Sequence, residues 1–134
     1  MVDKIIDEFD RDIEAHHADR GEPGSFTRAY IRATMSPISS TPERQDRLGA
    51  ALIAAAAGQP ALLAPLHAAA DRWQRRLEGD GLDPTVATLL RLACDGLWLC
   101  DLFGLAPPSA ALRASLEDRL ELLASQALNE AAGR

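Results

Sequence analysis

This 134-residue chain is short of several residue types, and each shortage excludes something. Its two cysteines are too few for a disulfide scaffold. Valine occurs only at Val2 and Val86 and threonine is scarce, so residues that favour strands are thinly supplied. Aromatic residues number six: three Phe, two Trp and one Tyr. No apolar run reaches the roughly 18 residues needed to cross a bilayer. Leu89–Leu105 comes closest, and Arg91, Asp95 and Asp101 interrupt it. Basic charge is in deficit, with 14 Lys and Arg against 20 Asp and Glu, a net charge of −6. That balance argues against this chain, by itself, binding nucleic acid or an anionic membrane. Asp3, Asp7 and Glu8 stand where a secretory signal would carry a basic stretch before an apolar one, so a cytoplasmic protein is expected.

Alanine and leucine fill the space. Together they make up about a third of the chain, and both are strong helix formers. The composition predicts an all-α protein. Hydrophobic residues at 47% and charged residues at 25% predict a folded core and not disorder. The length suits one domain, residues 1–134, with a core that needs no staples.

Periodicity divides the chain into six helices. Val2, Ile5, Ile6, Phe9 and Ile13 share one face of a first helix reaching about Asp19, and Gly21-Glu22-Pro23-Gly24 breaks it. Ser25 is placed to cap a second helix, whose apolar stripe is Phe26, Ala29, Tyr30 and Ala33. Ser40 and Glu43 have capping-box spacing for a third, with Leu48, Ala51, Leu52 and Ala55 on one side and Gly58 at the end. A fourth runs from about Pro60 to Glu78 with Leu62, Leu63, Leu66, Ala70, Trp73 and Leu77 inward. Pro65 must either begin that helix proper or kink it. Asp83-Pro84 is a strong start signal for a fifth helix to Phe103, closed by Gly104. A sixth follows Pro107-Pro108, lined by Leu112, Leu116, Leu120, Leu123 and Ala127.

The fifth helix is apolar around nearly its whole circumference. Leu89, Leu92, Ala93, Gly96, Leu99 and Phe103 make one stripe, and further apolar residues fill the other sides. Such a helix must be covered all round, and a domain of this size rarely encloses one alone. The pattern predicts a homodimer in which Leu89, Leu92, Gly96 and Leu99 meet a partner together with Leu112, Leu116, Leu120 and Leu123 of the sixth helix. Gly96 would let the partner helix approach closely. The other reading makes these helices the centre of a monomeric bundle.

The stretch RLACDGLWLCDLFGLAPPS, followed by a leucine-rich helix, resembles the end of the TetR/AcrR family of bacterial transcriptional regulators. GEPGSFTRAYIRAT resembles the start of the same regulatory domain, and Asp95-Gly96-Leu97-Trp98-Leu99 is the strongest single element. The resemblance implies a six-helix orthogonal bundle that binds an effector and dimerises through its last two helices, Thr85–Phe103 and Ser109–Ala127. It also implies an operator-binding head before that domain. No helix-turn-helix pattern precedes Val2, and the first helix is acidic on its outer face, so operator DNA would be reached only through a head absent from this sequence. Because Val2–Asp19 resembles the helix leading from head to body, an excised domain is the expectation. A naturally headless dimeric interaction module is the alternative.

Asp10, Glu14 and His17 share a helical face, but Glu14-x-x-His17 is only half of a carboxylate-bridged metal motif, and no metal is expected. Cys94 and Cys100 are about 9 Å apart along one helix and point to different faces, so they read as small core residues, not a disulfide or thiol sensor. Arg72, Arg75 and Arg76 around Trp73 read as a solvated face, and Arg91–Asp95 as a structural ion pair. No nucleophile–base pair, phosphate loop or cofactor motif is visible, so an enzyme is not expected. An effector would be small and mostly apolar. Phe26, Tyr30, Leu66, Trp73, Trp98 and Phe103 are the large residues able to line its pocket.

Overall fold

The computed structural model describes residues 2–17, 20–36 and 41–133. Among the described residues there are six α-helices: α1 (Val2–His16), α2 (Ser25–Met35), α3 (Pro42–Gly58), α4 (Ala64–Glu78), α5 (Pro84–Phe103) and α6 (Ala110–Ala132). A single 3₁₀ turn, Pro60–Leu63, joins α3 to α4. No strand occurs among the described residues, and no helix among them is long and apolar enough to cross a membrane.

Local chemistry sets most helix ends. Asp83 accepts a hydrogen bond from the Thr85 amide at 2.9 Å with Pro84 in the first turn, and Ser109 caps α6 through the Leu112 amide at 3.2 Å. Gly104 closes α5 in the left-handed region at φ 65°. Pro65 lies in the first turn of α4, so it begins the helix and does not kink it. Three expectations are corrected. The N-cap of α3 is Thr41, whose hydroxyl accepts from the Arg44 amide, while Ser40 lies outside the described residues. Leu62 is exposed: the 3₁₀ turn advances about 120° per residue and takes it off the inward phase of α4. Ser25 is the first helical residue of α2 and does not cap it.

The cap of α2 comes from far along the chain. Asp80 accepts from the Thr27 amide at 2.9 Å, the Thr27 hydroxyl at 2.8 Å and the Phe26 amide at 3.3 Å. A carboxylate there also meets the positive end of the helix dipole. This anchor holds the most deeply placed helix of the fold. Phe26, Thr27, Ala29, Tyr30, Ile31, Ala33 and Met35 are all buried, and α2 packs against α1, α4, α5 and α6. The main core gathers α2 with Ile6, Ile13, Trp73, Leu77, Leu90, Cys94 and Leu120. A smaller core of Leu48, Leu52 and Leu102 ties α3 to α5, with Ile5, Trp98 and Phe103 packed on it. There the helices nearly touch: a Cβ on Gly49 would lie 2.8 Å from the Leu102 carbonyl oxygen, so only glycine fits without a shift.

Candidate functional site

Between the two cores lies a partly open cavity of about 670 Å³, bounded by α1 to α5 with the start of α6 at its edge. Its size falls within the range of small-molecule sites, about 300–1,000 Å³. The helical spacing of α1 aims Ile5, Ile6, Phe9 and Asp12 into it. Phe9 stands edge-on to both Tyr30 and Trp73, with ring centroids 5.1 Å away in each case, and Tyr30 and Trp73 are themselves 6.1 Å apart. These three rings form one wall.

A polar chain fixes that wall. The Tyr30 hydroxyl donates to Asp95 Oδ1 at 2.5 Å, and Arg91 Nε donates to Asp95 Oδ2 at 3.0 Å. Arg91 Nη1 donates to Gln74 Oε1 at 3.0 Å, and Gln74 Nε2 donates to Thr88 Oγ1 at 2.8 Å. Burial, reinforced by the neighbouring Asp95 charge, pushes the Tyr30 phenol far above its ordinary value, so the ring keeps its proton and donates it. Arg91 and Asp95 thus form the ion pair read from the sequence. Asp95 lines the cavity as well. The Trp73 indole donates to Asp10 Oδ1 at 2.8 Å, and Arg72 holds the other Asp10 oxygen at 2.6 Å. Toward the smaller core the cavity is edged by two ion pairs, Glu8–Arg44 and Asp101–Arg113, together with Lys4, Arg47 and His67.

Of the pocket residues read from the sequence, Tyr30, Leu66, Trp73 and Trp98 line this cavity together. Phe26 and Phe103 do not. Phe26 is 3% exposed in the main core, with the Arg76 guanidinium 3.9 Å from its ring centre, and Phe103 packs on the smaller core. Size alone does not distinguish a cavity wall from core filling. Sequence reading also missed Phe9 and its neighbours on α1, although they sit on the stripe that defined that helix.

The other clusters resolve into separate contacts. Asp10 is taken by Trp73 and Arg72, Glu14 by Arg20 and Arg76, and His17 by the Ser25 hydroxyl at 2.9 Å. No group of three metal-ligating side chains occurs among the described residues. Both cysteines are free, and burial pushes the Cys94 thiol up to about 12, which makes it a poor nucleophile. Arg72 and Arg76 each meet a carboxylate and a ring face, so that cluster is more tied down than a solvated face.

On the outside, the α5 stripe lies open. Leu89 is 61% exposed, Leu92 54% and Leu99, which also edges the cavity, 41%, and on α6 Leu112 is 54% and Leu123 40% exposed. A Cβ on Gly96 would meet nothing within 4 Å, so nothing in this chain requires glycine there. Leu116 is half-buried at the edge. Leu120 is corrected: at 7% exposure it belongs to the chain's own core. At 100° per residue it is rotated about 80° from Leu112, which carries it off the open face.

The cavity's surface is mostly apolar with polar side chains converging on it from several helices, as small-molecule sites are. The chain belongs to the tetracycline repressor-like C-terminal domain family, whose model matches residues 24–125. Such domains are regulatory. No curated protein and no solved structure gave a significant match.

Proposed function

We propose that this chain is the effector-binding and dimerisation domain of a TetR-family transcriptional regulator. The cavity walled by α1 to α5 receives a small, mostly apolar effector, and the open leucine face of α5 and α6 pairs with a second copy. The observation that carries the reading is the position of the cavity: α1 contributes Lys4, Ile5, Ile6, Glu8, Phe9 and Asp12 to its wall. In a regulator whose operator-reading head is joined ahead of α1, an effector that shifts α1 resets the spacing of the two heads. That coupling requires different effector affinities in the two states. Family membership supports a regulatory role over a purely structural one.

The test is thermal denaturation against a library of small apolar compounds, with the mass in solution followed by light scattering. A dimer mass with compounds that raise Tm is expected, because a ligand selective for the folded state stabilises it. A mass of one chain at micromolar concentration overturns the dimer. A library without a single stabilising compound overturns the effector site. Equal affinity of a found effector for the full regulator with and without operator overturns the coupling.

A further inference from the structure

The inner part of the cavity has a one-sided chemistry. Its lining near the main core is Ile6, Phe9, Asp12, Tyr30, Ala33, Thr34, Leu66, Ala70, Trp73 and Asp95. Among these side chains the hydrogen-bond donors are three, and each is already used. The Tyr30 hydroxyl donates to Asp95, the Thr34 hydroxyl to the Tyr30 carbonyl at 3.0 Å, and the Trp73 indole to Asp10. The side chains offer a guest oxygen acceptors, the Asp95 carboxylate among them, and the π-systems of three rings. Each Asp95 oxygen takes one donor from the protein and has a further lone pair, and the Tyr30 oxygen, having donated, accepts. Arg91, which shares Asp95, does not line the cavity, so its guanidinium faces no guest. The cations come from the start of α1 (Lys4), from α3 (Arg44, Arg47) and from α6 (Arg113), and Arg44 and Arg113 are already taken by Glu8 and Asp101.

A guest head group buried here must satisfy acceptors without needing a side-chain donor. A carboxylate or carbonyl head would find none and would lie against like charge and ring faces, a costly burial. An ammonium head matches every element: it donates only, it is drawn to carboxylates, and ring faces attract cations. We infer that the effector is an amine, protonated at neutral pH, whose head sits against Asp95 and the Phe9–Tyr30–Trp73 wall and whose apolar body extends toward Leu48, Leu66 and Trp98.

This inference rests on the cavity being the effector site, and the test separates the two. Three probes share one body: diphenylpropylamine, diphenylpropanol and diphenylpropanoate. Their affinities are measured at neutral pH by calorimetry on the whole chain. The amine is expected to bind about tenfold or more tighter than the carboxylate, and tighter than the alcohol. In Asp95→Asn, which keeps an acceptor but removes the charge, the preference for amine over alcohol should shrink toward unity. Equal or tighter binding of the alcohol or carboxylate by the unaltered protein overturns the amine and leaves the effector site standing. Binding of none of the three overturns both. If Asp95→Asn fails to fold, the series on the unaltered protein decides alone.

Discussion

At the residue scale, the structure turns on polar atoms placed among apolar ones, and Cys94 and Asp80 show this from opposite sides. Cys94 is fully buried, and burial lifts its thiol from an ordinary 9.0 to about 12. Below pH 9 the thiol is protonated in both folded and unfolded chains. Above it the unfolded thiol ionises first, so stability falls as pH rises toward the folded value, and the raised Tyr30 phenol adds to the same trend. Denaturant midpoints should therefore hold level through neutral pH and drop in the alkaline range. At neutral pH, iodoacetamide followed by mass mapping should label half-buried Cys100 and spare Cys94. Equal labelling of both would contradict the burial. Asp80 closes three donors at once, including the hydroxyl of Thr27, which is 0% exposed. Asp80→Ala leaves these without their acceptor, and a loss of about 2 kcal/mol is expected by chemical denaturation.

At the element scale, glycine distinguishes a contact within the chain from one beyond it. Gly49 sits where α3 crosses the backbone of α5, and Gly96 sits on the open face of α5. Alanine favours helix over glycine by up to about 1 kcal/mol, so propensity alone predicts that both substitutions stabilise. Packing reverses the sign at Gly49, where the new methyl would press on the Leu102 carbonyl. Gly49→Ala should lower stability by about 1–3 kcal/mol. Gly96→Ala should leave the folded monomer as stable or more so, while weakening any close partner approach. Thermal melts of both variants at low protein concentration check this, and a destabilised Gly96→Ala would mean that the face is not open. The two glycines look alike in the sequence, because what separates them is a helix crossing that periodicity does not encode. The helix ends were legible where their signals are adjacent, as in Asp83-Pro84 and Gly104. They were not legible at α2, whose cap lies 53 residues beyond Thr27. The sequence also made α5 the helix needing most cover. Instead α2, with Thr27 and Tyr30 among its buried residues, holds the centre, since a partnered hydroxyl is buried as readily as a leucine. The cavity was legible only as a set of large residues. Tyr30, Leu66, Trp73 and Trp98 line it while Phe26 and Phe103 fill cores, a difference that depends on how helices far apart in sequence pack.

At the scale of the whole molecule, the two apolar surfaces serve different ends. One lines the cavity against α1, and the other stands open on α5 and α6, where six leucines are at least 40% exposed. Leaving that much side chain in water is unfavourable at about 25 cal/mol per Å² of apolar surface, and a second copy meeting the same face about a two-fold axis relieves it on both sides. Leu92 gives the sharpest test. It is 54% exposed and belongs to neither core, so a charge there costs the monomer fold little. In a dimer the same charge would be buried opposite its symmetry mate or against leucine, and burying an unpaired charge is strongly unfavourable. Leu92→Glu should thus lower the mass in light scattering to that of one chain at micromolar concentration while the helical circular dichroism stays unchanged. Leu102→Glu, placed in the smaller core at 6% exposure, should instead lower Tm sharply. Loss of helix in Leu92→Glu would place that residue in the core of its own chain, and an unchanged dimer would move the interface off α5. The cavity reaches the same helix one turn on, through Asp95, Trp98 and Leu99, but Leu92 does not line it, so diphenylpropylamine should still raise the Tm of the Leu92→Glu monomer if pairing and effector binding are separate properties.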